Sequence, residues 1–82
     1  MYRILTENKN PDQIKKILES LCLDYTVYYG DGSWHGQTEN SIMIELDNTS
    51  GAIAETAARL IKETNFQQSV LLQEIPVTSR LI

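Results

Sequence analysis

Eighty-two residues, 41% hydrophobic and 22% charged, are expected to make one domain around one core, which excludes a second domain and a disordered chain. Seven basic residues stand against eleven acidic ones for a net charge of −4, and their scatter along the chain disfavours a phosphate-tracking nucleic-acid surface. No apolar run reads as a membrane span or a secretion signal; Cys22 is the single cysteine, so no internal disulfide is expected and a reducing cytoplasm is the expected compartment.

Tyr2 to Thr6 is a short β-prone run of alternating polarity. Asn10-Pro11-Asp12-Gln13 reads as a helix start, with Asn10 able to cap, Pro11 suited to the first helical position and Gln13 able to reach back as in a capping box. Ile14, Ile17, Leu18 and Leu21 then recur at helical spacing as one apolar stripe, with Lys15, Lys16 and Glu19 facing water. Cys22, near the end of this helix, is expected to be part-buried and to serve packing, since no basic cluster or neighbouring histidine would activate it as a nucleophile.

Asp24 to Tyr29 places Tyr25, Val27 and Tyr29 on one face and Thr26 and Tyr28 on the other. Ser41 to Leu46 alternates in the same way, with Ile42, Ile44 and Leu46 opposite Met43 and Glu45. Between them, residues 30–40 are rich in turn formers. The pattern predicts an antiparallel hairpin with a bulge and a mobile, protruding tip. Asn48-Thr49-Ser50 matches a glycosylation pattern but reads as a helix cap without a secretion signal. The second helix carries Ile53, Ala57, Leu60 and Ile61 on its apolar side and stops at Asn65. Gln68 to Val77 is the last strand, with Val70, Leu71, Leu72 and Ile75, and Pro76 marks its end or an edge.

The order βαββαβ predicts an α+β domain of ferredoxin-like layout. It has a four-stranded antiparallel sheet in the order 4-1-3-2, two helices on one face and a protruding β2–β3 hairpin. The covered face takes Tyr2, Ile4, Tyr25, Val27, Ile42, Ile44, Val70 and Leu72. The open face shows Leu5, Tyr28, Met43, Leu71 and Ile75 among Arg3, Thr26, Glu45 and Gln73. That is more apolar surface than a small monomer usually leaves in water.

Residues with chemistry are few. Asp31, His35 and Glu39 recur at four-residue steps, but the glycines at 30, 32 and 36 argue against a helix that would align them, and no second histidine or cysteine supports a metal site. Gly30-Asp31-Gly32 lacks the helix start that a phosphate-binding loop requires. No catalytic residue, metal ligand or cofactor is therefore expected. Tyr28 and Met43 facing out of the sheet parallel RNA-recognition domains of this topology, which need more aromatic and basic residues than the first and third strands offer. Trp34 is the only tryptophan and sits near the hairpin tip. It either folds back over the sheet edge or anchors a partner, the use for which tryptophan is enriched at binding hot spots.

Two resemblances bear on this. The stretch Tyr25 to Leu46, with its Gly-Ser-Trp-x-Gly-x-x-Glu-x-Ser core, resembles small uncharacterised proteins of bacteriophages and their bacterial hosts, as does the run Ile61-Lys62-Glu63-Thr64-Asn65-x-Gln67-Gln68-x-Val70-Leu71. The resemblance implies a phage or bacterial setting without a particular activity. The layout is also similar to that of the P-II signalling proteins, ferredoxin-like trimers that contact partners through a long loop between the second and third strands and bind ligands between subunits. Residues 30–40 occupy the matching place.

The reading that accounts for both the open sheet face and the tryptophan is a non-catalytic oligomeric interaction module. Tyr28, Met43, Leu71 and Ile75 would face a like subunit in a dimer or trimer, and Trp34, His35, Gln37 and Glu39 of the hairpin would face an unidentified protein. The alternative is a P-II-like sensor of a small molecule or nucleotide. It would hold an anion between subunits with Arg3, Arg59, Lys62 and Arg80 as the available donors.

Overall fold

The computed structural model describes all 82 residues. Strand β1 (Tyr2–Glu7) leads to helix α1 (Pro11–Ser20), strands β2 (Asp24–Trp34) and β3 (Gln37–Asp47), helix α2 (Gly51–Thr64) and the short strand β4 (Leu71–Glu74). All pairings are antiparallel and the sheet order is β2-β3-β1-β4. The α+β class, the element order and the strand order are those expected from the sequence.

The core forms where one side of the sheet meets the two helices. Ile4 of β1 and Ile42, Ile44 and Leu46 of β3 are buried against Ile14, Ile17 and Leu18 of α1 and Ala54, Ala57, Ala58 and Ile61 of α2. Ile4, Ile42 and Ile44 of the two central strands are fully buried, and their branched side chains suit a pleated surface. The helix lying over them presents mostly alanines, which let its backbone approach closely. The buried stripe of α2 keeps Ala57 and Ile61 of the expected one but takes in Ala54 and Ala58, with Leu60 partly buried and Ile53 42% exposed. Alanine adds little to a hydrophobic pattern, so the larger Ile53 misleads the eye. At the edge, β2 is tied to α1 through polar tips: Tyr25 Oη donates to Glu19 Oε1 at 3.0 Å, and Lys15 Nζ lies 5.9 Å from the Tyr29 ring centroid.

The helix ends are set by different devices. Ser50 caps α2, its hydroxyl accepting from the Ile53 amide at 3.2 Å. Pro11 opens α1 as expected, but Asn10 is left-handed (φ 52°) and makes no side-chain cap. The expected capping box with Gln13 is absent because the Asn10 amide group turns instead to Asn65 Oδ1, 3.4 Å away. Both helices finish in a six-to-one amide bond, Leu23 to the Leu18 carbonyl and Gln67 to the Lys62 carbonyl, the Schellman arrangement. The left-handed position it demands is filled by Cys22 and Phe66, at φ 54° each. Glycine is usual there; an L-residue costs about 1–2 kcal/mol. That conformation turns Cys22 outward, so it is exposed rather than part-buried.

Two strands differ from expectation. Residues 30–40 are not a mobile loop: β2 and β3 run as an unbroken ladder from Asp24↔Asp47 to Trp34↔Gln37, without a bulge. The turn is only His35-Gly36, at φ 50° and 77°, the two positive angles of a type I′ hairpin. Since β1 ends opposite Ser41, the hairpin still protrudes, by roughly 10–13 Å at strand spacing. Gly32 lies close under Ser41, and a Cβ there would oblige the Ser41 hydroxyl to turn aside. Strand β4, in contrast, is shorter than the expected 68–77. Beyond Glu74, Ile75 and Met1 exchange two further bonds, the Ile75 amide donating to the Met1 carbonyl at 2.8 Å and the Met1 amino group to the Ile75 carbonyl at 3.2 Å. Pro76 has no amide to continue it.

The phase of α2 is directly testable. Ile61→Ala should cost about 2–5 kcal/mol in urea unfolding, whereas Ile53→Ala should cost under about 1 kcal/mol. Equal losses would contradict the packing described.

Candidate functional site

Alternation along the strands assigns every candidate side chain to a side of the sheet. Ile42, Ile44 and Leu46 face the helices, so Met43, Ser41, Glu39 and Gln37 face away from them. Their partners Tyr28, Gly30, Gly32 and Trp34 do the same. Of the residues expected to contact a partner, Trp34, Gln37 and Glu39 therefore share one side with Tyr28, Met43 and Leu71 of the expected subunit contact, and His35 lies in the turn. Asp31 and Ser33 point the other way. Asp31 and Glu39 stand on opposite sides of the hairpin, and no group of three potential metal ligands gathers anywhere in the chain.

On this open side the side chains fall into rows across the strands. Tyr28 pairs with Met43, Met43 with Leu5, and Leu5 with Leu71, giving one apolar row across all four strands. Its two ends, Tyr28 and Leu71, are 47% and 46% exposed. The neighbouring row is polar: Thr26, Glu45, Arg3 and Gln73, with Arg3 Nη2 3.6 Å from Glu45 Oε2. Hydrogen bonding to the Glu45 carboxylate, reinforced by its charge, pushes the Tyr28 hydroxyl above its ordinary value. Ile75 lies past Gln73 and Glu74, separated from the apolar row by the polar one.

A cleft of about 430 Å³ opens where β1 ends and the hairpin continues. Leu5 and Leu71 form its floor, Trp34 one wall and Phe66 the other, with Glu39 and Gln67 among the polar lining. Trp34 is 55% exposed and Phe66 89%. The Trp34 ring rests edge-on against His35, with centroids 5.0 Å apart and planes at 80°, so the turn residue steadies the indole. Trp34 thus neither folds down as a lid nor stands free; it forms a wall. The connection from α2 to β4 supplies the opposite wall, and sequence reading missed it. The signal was present in a lone phenylalanine directly after the helix stop at Asn65.

Polar bonds anchor that connection. Asn65 is buried, its Nδ2 donating to the Lys9 carbonyl at 2.8 Å. The Thr6 hydroxyl donates to Gln67 Oε1 at 2.9 Å and the Glu7 amide to the same oxygen at 3.4 Å. The basic residues that an anion site between subunits would draw on are dispersed. Arg3 faces Glu45 on the sheet, Arg59 pairs with Glu55 at 2.8 Å along α2, Lys62 lies in the last turn of that helix, and Arg80 follows β4 outside any regular element. No helix is long and apolar enough to cross a membrane.

Because half of Trp34 is in solvent, Trp34→Ala should lower stability by under about 1 kcal/mol in urea unfolding followed by far-ultraviolet circular dichroism. A loss of 3 kcal/mol or more would make Trp34 a structural lid. Comparison of the sequence with protein-family models and with curated proteins finds no match.

Proposed function

We propose that this chain is a non-catalytic, homo-oligomeric interaction module of ferredoxin-like fold that works in the cytoplasm, in the phage-host setting that the sequence resemblance implies. The observation that supports this reading is the apolar row Tyr28, Met43, Leu5 and Leu71 on the sheet face without helices. A domain of this size buries only about 60–65% of its unfolded surface, so covering a second apolar layer adds usefully to a thin margin. A like subunit is the simplest cover, since a two-fold axis sets the same row against itself in a dimer; a trimer shares the row among three contacts. Side chains from two sheet faces interdigitate at a spacing of about 10 Å. The adjoining Arg3–Glu45 pair already neutralises the charges nearest the row.

The protruding end of the hairpin then serves a different protein. Trp34, His35, Gln37 and Glu39 stand beyond the end of β1, with the indole as the large, low-entropy contact on which such interfaces centre. Leu71 and Ile75 lie at the opposite edge from the hairpin and belong to the subunit contact.

Assembly is the property to measure. Wild-type protein should sediment as a dimer or trimer at micromolar concentration. Met43→Glu, which adds a charge to the middle of the apolar row beside Glu45, should raise the subunit dissociation constant at least about tenfold while the circular dichroism spectrum stays native. A wild-type chain that sediments as a monomer at millimolar concentration would refute the reading.

A further inference from the structure

Two strands edge the sheet, and only one of them is blunted. Strand β4 is four residues long and ends shortly before Pro76, two devices that keep an edge from pairing with other chains. Strand β2 has eleven residues with no proline, no lysine and no bulge, and Asp31 is the only charge between its ends. Its outer backbone groups can be named. The Asn8 amide donates to the Asn40 carbonyl at 2.9 Å on the β1 side, so Asn40 and its ladder partner Asp31 turn their backbone groups away from each other. By alternation, Tyr25, Val27, Tyr29, Asp31 and Ser33 aim their amides and carbonyls outward, and none has a backbone partner there.

Within one subunit, nothing requires residue 30 to be glycine. Gly36 alone among the glycines has a positive φ, and a Cβ added at Gly30 would meet nothing within 4 Å. A glycine inside a strand forgoes side-chain packing and often marks the close approach of something else. Beside it on the same open face, Tyr28 is 47% exposed. On the helix side, neither Lys15 nor Asp31 makes an ion pair in its own subunit, and Lys15 Nζ lies 5.9 Å from the Tyr29 ring centroid.

The same strand of a second copy meets all of these features. A two-fold axis at Tyr29, the midpoint of β2, sets the whole strand against its equivalent in antiparallel array. The outward residues then face one another. Tyr29 meets its equivalent, Val27 meets the partner's Asp31 and Tyr25 meets the partner's Ser33, each pair exchanging two backbone bonds, about ten across the seam. On the open face, Tyr28 falls opposite the partner's Gly30, and an aromatic ring lying across a strand glycine makes up for its missing side chain. On the helix side, the partner's Asp31 arrives diagonally across from the Tyr29 ring beside which Lys15 lies. A register shifted by two residues leaves strand ends unpaired and moves Tyr28 off the partner's Gly30.

We infer that β2 pairs edge to edge with β2 of a second copy, making one continuous sheet across two subunits. The seam goes beyond the face contact proposed above and uses none of its surface but Tyr28, and Trp34, Gln37 and Glu39 keep their open side for the other protein. Backbone bonds at a water-exposed edge contribute little net, so the seam closes at higher concentration than the face contact. The experiment is amide hydrogen exchange, read by NMR on ¹⁵N-labelled full chain at about 20 µM and about 1 mM. It is run on wild type and on Leu71→Glu, which charges the apolar row at the edge farthest from β2 and opens the face contact. In both, the Val27, Tyr29 and Asp31 amides should exchange at least about tenfold more slowly at the higher concentration, while those of Tyr28 and Gly30, bonded to β3, change little. Asp31→Pro removes an outward amide and spares the β3 ladder, so it should abolish the slowing at Val27 and Tyr29 and keep the native circular dichroism spectrum. Lys15→Asp and Asp31→Lys should each weaken the seam at least about tenfold, and the two together should restore it. The inference is overturned if the outward amides exchange alike at both concentrations, which leaves the edge to a strand of another protein. It is overturned too if Leu71→Glu removes the slowing, which assigns it to the face contact, or if Asp31→Pro and the single charge reversals leave it intact. Failure of the face contact shows instead in the sedimentation of Met43→Glu, so the two readings fail separately.

Discussion

A buried asparagine and a buried glutamine, two residues apart, hold one end of this domain together. Asn65 bridges the end of α2 to the Lys9 carbonyl and the Asn10 amide group, and Gln67 bridges the start of the next connection to Thr6 and the Glu7 amide. Neither connection has regular backbone bonding of its own. Without these ties the chain between α2 and β4 would have no fixed position over β1, and Phe66 would have no fixed position opposite Trp34. The cost of burying two amides is offset by four side-chain hydrogen bonds. They also explain the left-handed Asn10, which gives up capping α1 in order to reach Asn65.

Much of the fold was legible in the sequence because the signals were periodic. Ile14, Ile17 and Leu18 marked the buried side of α1, and the alternation through Ile42, Ile44 and Leu46 marked the central strand. Where the pattern rested on weakly hydrophobic residues it slipped: α2 buries Ala54, Ala57 and Ala58, and Ile53 stands partly outside. The hairpin was misread for a related reason. Gly30, Gly32 and Gly36 look like a loop by composition, yet Gly30 and Gly32 lie within paired strands and only Gly36 turns the chain. Glycine in a strand records a close neighbour as readily as a break, and a sequence does not show that Ser41 lies over Gly32.

Of the candidate site, the hairpin half was visible in advance and the other half was not. Trp34 and Glu39 were singled out as residues of uncommon type in an unusual place. Gln67 acquires its place only through bonds to residues some 60 positions away along the chain, no local spacing announces such a bond, and the place of Phe66 follows from it. The shared side of Trp34 and Met43 likewise follows from the unbroken register, which depends on the absence of the expected bulge. One extra residue in either strand would have moved Trp34 to the helix side.

The position of β1 has a kinetic consequence. It lies in the interior of the sheet, between a strand some 40 residues later and another some 70 residues later. The β2–β3 ladder, in contrast, closes over two residues. Loop-closure entropy makes that hairpin the least costly structure to form, and it delays the sheet until β1 docks against β3. Strand β4, four residues long, has no template until β1 is in place. The half of the cleft that carries Trp34 is therefore assembled early, and the half that carries Phe66 last. A chain that stalls at the intermediate stage would present the bare edge of β3 to any extended segment nearby, its own β1 among them, so that exchange of β1 between two chains is the misfolding route this topology favours.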